Sequence, residues 1–339
     1  MKNIKQTILL ASAALLTLAA CSTDDRQTGP QAGQLPINFT ATVDGTDITR
    51  AASTTSLKGY TFYVWADMVD NKTSVVTTYL NAWEQNVDGS GNILHDQKLF
   101  PVYNTLDFYA FFGNFEETIY GGSTLWPASA LHVSVNPTQI TQDEYQRCDL
   151  LYAVNTGVTP TSDPVDLHFY HLLSKVEVAL KVGNKMTSDD ILNQDATKVT
   201  VSILGTKLEA TFQPSKTATL TTEAGRRVML TVPESAEPQP ITMETVTTDD
   251  FENGTCAAAI VVPQTVNGQF IRLSYQGHDT YYSVNNLELK SGYRYRFNLT
   301  VDRIGETYVV TPDLSVNPWG ADTEVSADLK NITGTTERN

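Results

Sequence analysis

The chain has 339 residues, and 41% of them are hydrophobic, which is enough to build large buried cores and excludes disorder as a description of the whole. Its formal net charge is −15 at pH 7. Nucleic acid is bound by basic surfaces, so this charge argues against a nucleic-acid partner. The chain also lacks a polybasic patch for anionic lipid.

The first twenty residues have the pattern of a secretory signal. Lys2 and Lys5 precede an apolar run over residues 8–18, which is too short to span a bilayer as a stable helix. Small residues then lead directly to Cys21. This context is typical of a bacterial lipoprotein signal, in which cleavage precedes the cysteine and its thiol receives fatty acyl chains such as palmitate. We predict a signal peptide over 1–20 and lipidation at Cys21; an ordinary signal peptide with a chance cysteine is the alternative.

Residues 21–50 are predicted to form a lipid tether followed by a removable strand. Residues 22–34 are polar and rich in turn formers, as in flexible linkers. The next residues alternate between apolar and polar, which predicts a β-strand with one face on a core. Its apolar positions are Leu35, Ile37, Phe39, Ala41 and Val43. A turn at Asp44-Gly45 ends the strand, and a small-residue segment with one basic side chain, Arg50, follows.

The remainder reads as many short strands separated by turn residues, which indicates an all-β sandwich architecture. Two stretches look helical, Thr141–Arg147 and Ser188–Gln194. Asp163-Pro164 is the predicted domain boundary, giving domains over 51–164 and 165–339. Strands are predicted over Tyr60–Ala66, Leu106–Phe112, Leu172–Val182, Lys198–Leu204, Arg227–Val232, Ala258–Val262, Phe270–Tyr275 and Tyr293–Val301.

The sequence contains no recognisable catalytic or metal-binding motif. His168 and His171 lie three apart on a strand, so they point to opposite faces and make poor joint ligands. We therefore expect no metal, no cofactor and no enzymatic activity, although a glycosidase with two distant carboxylates remains a rival. Cys148 and Cys256 are interpreted as small buried hydrophobic residues, with a disulfide between them as the alternative.

Several short runs, taken in order, resemble the strand signatures of the Bacteroidales fimbrillin-like proteins, the subunits of type V pili and their relatives. Each run alone is weak evidence for the resemblance, but together the runs cover nearly the whole chain. The runs are Leu99–Pro101, Leu106–Ala110, Asp149–Ala153, Phe169–Val176, Val262–Thr265, Gly292–Tyr295 and Pro318-Trp319.

The resemblance implies two transthyretin-like β-sandwich domains in tandem and export as an outer-membrane lipoprotein. Asp24-Asp25 is similar to the signals that send such lipoproteins to the cell surface. The resemblance also implies that an arginine-specific protease removes the N-terminal strand, and that a neighbouring subunit then fills the vacated groove. Arg50 matches the arginine before the cut by position, and Ala51 follows it.

We interpret the chain as a non-enzymatic fimbrial subunit that supports adhesion and assembles with other pilin subunits, identical or different. The C-terminal tail either folds onto its own domain or enters a neighbour's groove as a donor, and the second is slightly favoured. Candidate donor residues are Leu314, Val316, Val325, Ala327 and Leu329. The alternative is a monomeric surface lipoprotein that binds glycans or a host ligand through exposed aromatic side chains.

Overall fold

The computed structural model describes residues 35–44, 57–184, 187, 198–243, 246–247, 256–275, 278–304 and 307–319. The helix predicted over Ser188–Gln194 lies outside these residues. Strands of the first half are β1 (Phe39–Val43), β2 (Thr61–Val69), β3 (Val76–Val87), β4 (Ile93–Leu94), β5 (Thr105–Phe112), β6 (Leu131–Ser134), β7 (Thr138–Gln139), β8 (Leu151–Val158) and β9 (Val165–His171).

The second half of the described chain continues with eleven further strands, and two short helices occur overall. The helices are α1 (Gln142–Arg147) and α2 (Glu223–Arg227). The strands are β10 (Ser174–Val182), β11 (Lys198–Thr206), β12 (Glu209–Phe212), β13 (Leu230–Thr231), β14 (Gln239–Met243), β15 (Val246–Thr247), β16 (Cys256–Val261), β17 (Thr265–Tyr275), β18 (His278–Glu288), β19 (Tyr293–Ile304) and β20 (Thr307–Pro318). The predicted all-β class is therefore confirmed.

The first half is organised around a seven-stranded sheet with the order β1-β9-β8-β5-β2-β3-β4. Its central strand β5 is apolar on both faces, as expected for a strand that is covered from two sides. Phe108 and Ala110 point into one core, and Tyr109 and Phe111 point into the other. The strand predicted over Leu106–Phe112 is confirmed, and it lies at the centre of the sheet.

The second half is a sandwich of a four-stranded sheet, β16-β10-β19-β20, and a larger sheet, β18-β17-β11-β14-β7. Phe297 of β19 contacts Phe270 of β17 at 5.6 Å and Tyr282 of β18 at 5.8 Å between ring centroids, so the two sheets pack face to face. The cleanest alternating run of the sequence, Tyr293–Val301, lies within β19. Its apolar side chains form the centre of this core.

The two halves of the chain interlock through shared sheets. β6 pairs with β12, and β7 pairs with β14, so strands from the first half complete sheets of the second. β9 pairs with β8, and the predicted boundary after residue 164 therefore falls inside a hydrogen-bonded sheet. The change of sheet occurs between His171, which ends β9, and Ser174, which begins β10.

The two short helices differ in how well the sequence predicted them. α1 is confirmed, with Thr141 as its N-cap in a capping box with Glu144. α2 was not expected, and the strand prediction over Arg227–Val232 is wrong at its start. Only Leu230–Thr231 is extended there, because the buried Arg226 side chain donates hydrogen bonds to the Leu220 and Ser291 carbonyls and fixes the helical turn.

A buried polar junction lies where the two halves meet. Asp149 accepts from His171 Nδ1 at 2.8 Å, and both side chains are fully enclosed. The His171 ring stacks on Trp319 with centroids 3.8 Å apart and planes 3° apart. On the neighbouring strand, Lys175 and Glu177 form a buried ion pair at 2.8 Å. By contrast, the His168 side chain is 41% exposed, so the two histidines do face opposite ways.

The Phe212 side chain packs between the two halves of the chain. It connects β12 to the seven-stranded sheet, with ring centroids 5.6 Å from Phe111 and 5.9 Å from Tyr152. Phe212→Ala should lower the free energy of unfolding by about 3–5 kcal/mol, because it leaves a cavity between the halves. Urea denaturation measures this loss. Val228→Ala, at a side chain that is 76% exposed, is the control, with less than about 0.5 kcal/mol expected. A loss below about 1 kcal/mol for Phe212→Ala would contradict the packing described.

Candidate functional site

The candidate site is formed by the segment that precedes the linker at residues 45–56. We call residues 35–43 the N-terminal segment. Its second part, β1, lies at one edge of the seven-stranded sheet and runs parallel to β9, with Phe39 opposite Val165 and Val43 opposite Phe169. Val165 donates to the Asn38 carbonyl at 2.8 Å at the start of this pairing, and Asp44 donates to the Phe169 carbonyl at its end.

The first part of the N-terminal segment reaches the opposite edge of the same sheet. Ile37 donates to the Lys98 carbonyl at 2.8 Å, and Phe100 donates to the Leu35 carbonyl at 2.9 Å, just beyond the edge strand β4. Pro36 lies opposite Leu99 in this antiparallel bridge, and the missing N–H of proline is not needed there. The N-terminal segment therefore pairs with β9 at one edge of the sheet and with the residues that follow β4 at the other, and its apolar side chains lie in the inner core.

Burial of apolar side chains contributes more to holding the N-terminal segment in place than its few backbone hydrogen bonds do. Ile37 is fully buried, and Phe39 is 7% exposed. The Phe39 ring lies between Trp83 and Phe108, at centroid distances of 5.5 and 5.3 Å, with His95 at 6.5 Å. Burial of Ile37 and Phe39 alone contributes roughly 3–6 kcal/mol. The apolar positions at either end and at Ala41 are partly buried against the same core, as the alternation predicted.

The polar side chains of β1 face outward and pair with their parallel neighbours on β9. Thr40 donates to Asp166 at 3.3 Å, and Thr42 lies 3.0 Å from His168 Nδ1. Asp44 lies 3.9 Å from His168 Nε2. These groups are exposed, so each contact contributes little to stability. The apolar face therefore holds the segment in place.

A cavity of about 670 Å³ lies beside β1 and is lined by Phe39, Ala41, Leu57, Ile93 and His95 among others. The described chain leaves β1 at Asp44 and resumes at Leu57, which is buried at this cavity. The linker therefore begins and ends next to β1. Arg50 and Ala51 fall within that linker and outside the described residues.

The structure places part of the candidate donor segment in its own domain. Leu314 and Val316 belong to β20 and lie opposite Phe297 and Tyr295 of β19. Leu314 is fully buried, and Val316 is partly buried. Beyond β20, Trp319 donates to the Gly292 carbonyl at 2.8 Å and is 2% exposed. The remaining predicted positions lie outside the described residues: Cys21, Val325, Ala327 and Leu329.

The other side chains that could act as metal ligands, acids or nucleophiles lie in surroundings that do not form a reactive site among the described residues. Among the described residues, no cluster of three or more histidine, cysteine or acidic side chains could hold a metal ion. Glu117 lies 2.6 Å from His132, and this hydrogen bond raises the pKa of the histidine at an exposed surface pair. Cys148 is a buried free thiol, and burial raises its pKa to about 12, which makes it a poor nucleophile. No helix in the described part of the chain is long and apolar enough to cross a membrane.

Solved structures share this fold at low sequence identity. A candidate cell adhesion protein from Bacteroides ovatus is 16% identical, with a TM-score of 0.59, over 85% of this chain and 99% of that one. A second candidate cell adhesion protein, from Bacteroides uniformis, is 19% identical, with a TM-score of 0.53, over 86% of this chain and all of that one. Both likenesses concern the fold. Among curated proteins, none matches this chain in sequence.

The fold and the site define an all-β protein in which the N-terminal segment adds a strand to the first sheet. The linker at residues 45–56 separates this segment in sequence from the other strands of that sheet. The model of the family described as fimbrillin-like matches residues 49–319 of the chain. The chain belongs to the fimbrillin-like family, and the resemblance noted in the sequence is confirmed. The matched region begins at the linker and includes Arg50.

Phe39 provides a test of how the N-terminal segment is held. In the intact chain, Phe39→Ala should lower the free energy of unfolding by about 3–5 kcal/mol, because the space between Trp83 and Phe108 is left empty. Urea denaturation followed by tryptophan fluorescence measures the change. Thr40→Ala, on the exposed face of the same strand, is the control and should cost less than about 1 kcal/mol. Equal effects of the two substitutions would show that the apolar face does not hold the strand.

Proposed function

We propose that this chain is a structural subunit of cell-surface fimbriae, and that it supports adhesion without enzymatic activity or a cofactor. One observation carries the proposal: the N-terminal segment pairs with β9 in the first sheet and with residues 98–100 beyond the opposite edge strand, yet its chain connection to that sheet runs through the linker that contains Arg50. Membership of the fimbrillin-like family supports the same role.

In this proposal the exported precursor is monomeric because it completes its own sheet. An arginine-specific protease then cuts between Arg50 and Ala51, where small neighbours offer little steric resistance. After the cut, the N-terminal segment is held by non-covalent contacts alone. Its departure exposes the edge of β9, the edge at residues 98–100 and the pockets of Ile37 and Phe39. A strand from a neighbouring subunit fills this groove by strand addition.

The donor is proposed to come from the residues beyond Trp319. Leu314 and Val316 are already paired with β19, and pulling them out would open the second sandwich. Val325, Ala327 and Leu329 alternate with polar residues in the following stretch, which is the pattern of an extended donor. Before processing, lipid on Cys21 would attach the precursor to the outer membrane through the tether at residues 22–34.

A second function is favoured by one specific observation. Next to the N-terminal segment, a cavity of about 560 Å³ is lined by Tyr79, Trp83, Glu84, His95 and Asp96 among others. The partly exposed Tyr79 ring, with carboxylate and amide neighbours, offers a surface that sugars can occupy. In this alternative the uncut lipoprotein stays monomeric and binds polysaccharide. Polysaccharide binding by the intact monomer, with no polymers formed on cells, would favour it over assembly.

Arg50 provides the main test of the assembly proposal. Arg50→Ala should give a folded, lipid-bound monomer, because the uncut segment continues to fill its own groove. Unheated SDS gels of surface material should then lack the polymer ladder that the unmodified protein forms. Arg26→Ala is the matched control and should assemble normally, since a cut there would leave the N-terminal segment in place. Polymers formed by the Arg50→Ala protein would refute the mechanism.

Cys21 provides an independent test of the membrane attachment. Cys21→Ser should release the precursor from membranes, because the rest of the mature chain lacks an apolar stretch that could anchor it. Detergent-free fractionation of cells that lack the processing protease measures this release. Ser22→Ala leaves the thiol in place and should not change the distribution. Unchanged membrane association of the Cys21→Ser protein would disprove the lipid anchor.

A further inference from the structure

The groove that the N-terminal segment occupies places specific demands on any strand that replaces it. We call this the receiving groove; it is bounded by β9 and by residues 98–100. The position of Ile37 is completely enclosed, and the position of Phe39 is a pocket formed by Trp83, Phe108 and His95. Two positions further on, the small Ala41 is only partly buried. A replacement therefore needs two large apolar residues two apart, the second of them best aromatic.

The backbone adds a requirement for direction. The replacing strand must run antiparallel to residues 98–100 at its start and parallel to β9 over the rest. This order fixes which end of the strand enters at which edge, so the large residues cannot be presented in reverse. On the outer face, Asp166 and His168 remain available to hydroxyl side chains at the positions of Thr40 and Thr42.

The chain's own C-terminal segment, which we define as residues 320–339, does not meet these demands. It contains no aromatic residue. Its alternating apolar residues are Val325, Ala327 and Leu329, so every register places an alanine or a polar residue in one of the two deep pockets. Ile332 does not help, because Lys330 stands two residues before it. A large-to-small change in either deep pocket leaves a cavity that the surrounding side chains cannot fill.

The candidate donor residues that the structure describes, Leu314 and Val316, are already in use. Leu314 and Val316 are large and two apart, yet Leu314 is fully buried against the second sandwich. The strand β20 that carries them is paired with β19 along its whole length. Donating this strand would break its pairing with β19 and expose the core that Leu314 fills.

We infer that the receiving groove takes a strand with a large apolar residue, an aromatic residue and a small residue at successive alternate positions, and that residues 320–339 of a second copy do not supply it. This inference rests on the proposed function and specifies its partner. If residues 320–339 are the donor, as proposed above, the receiving groove accepts its strand from an unlike subunit.

A peptide-exchange experiment tests this inference on the full exported chain. The Cys21→Ser protein, with a specific protease site placed in the linker at residues 45–56, is cut and mixed with fluorescent peptides. Anisotropy reports binding, and refolding of the cut protein from urea with each peptide gives a second measurement that does not depend on slow exchange. The peptides are residues 35–43, the same peptide with Phe39→Ala, residues 321–333, and the last with Ala327→Phe.

The expected order of affinity follows from the pockets. The 35–43 peptide should bind most tightly, and its Phe39→Ala form should bind about 100-fold more weakly, as should the 321–333 peptide. Ala327→Phe should recover about tenfold or more, because it supplies a valine and a phenylalanine two apart. If the 321–333 peptide binds within about tenfold of the 35–43 peptide, the inference is overturned while the proposed assembly survives. If the 35–43 peptide itself neither exchanges nor co-refolds, the receiving groove does not open and the proposed function fails with it.

Discussion

The first half of this protein depends on a connection between the two ends of one sheet. A sheet of seven strands has two free edges, and unpaired edges invite pairing with other chains. Here β1 is itself one edge strand and covers β9, while residues 35–37 of the same stretch pair with residues 98–100, which follow the other edge strand, β4. The same stretch inserts Ile37 and Phe39 into the core that the sheet encloses. The same few residues therefore cover the edge of β9 and fill the core, so their loss would expose that edge and the core together.

The inner core of the seven-stranded sheet and the junction between the two halves are held by different kinds of interaction. The inner core of the seven-stranded sheet is an apolar cluster to which the N-terminal segment contributes Ile37 and Phe39. The junction between the halves combines apolar contacts, such as Phe212 on Phe111, with buried charges and a stacked ring pair. Buried ion pairs add little net stability over apolar packing of the same volume, but a broken one is expensive. The junction thus favours one arrangement of the halves, whereas the inner core depends on the size and shape of the side chains that fill it.

Local patterns in the sequence predicted the local elements well. The alternation from Leu35 to Val43 identified a strand with one buried face, and Thr141 with Glu144 identified the start of α1. Helix α2 escaped prediction because it is a single turn whose geometry depends on Arg226 bonding to the distant Ser291 carbonyl. The β7–β14 and β6–β12 pairings escaped it too, since such short strands carry almost no periodic signal. The closure at Pro36 and Leu99 is set by tertiary packing alone, and no local pattern announces it.

The stacked rings at the junction have a mechanical consequence for a chain of linked subunits. His171 is the last residue of β9, the strand that holds whatever occupies the receiving groove. Trp319, its stacking partner, is the last residue that the structure describes. In the proposed assembly, tension between a strand in the receiving groove and the residues beyond Trp319 would therefore have a short route across one ring pair, with centroids 3.8 Å apart.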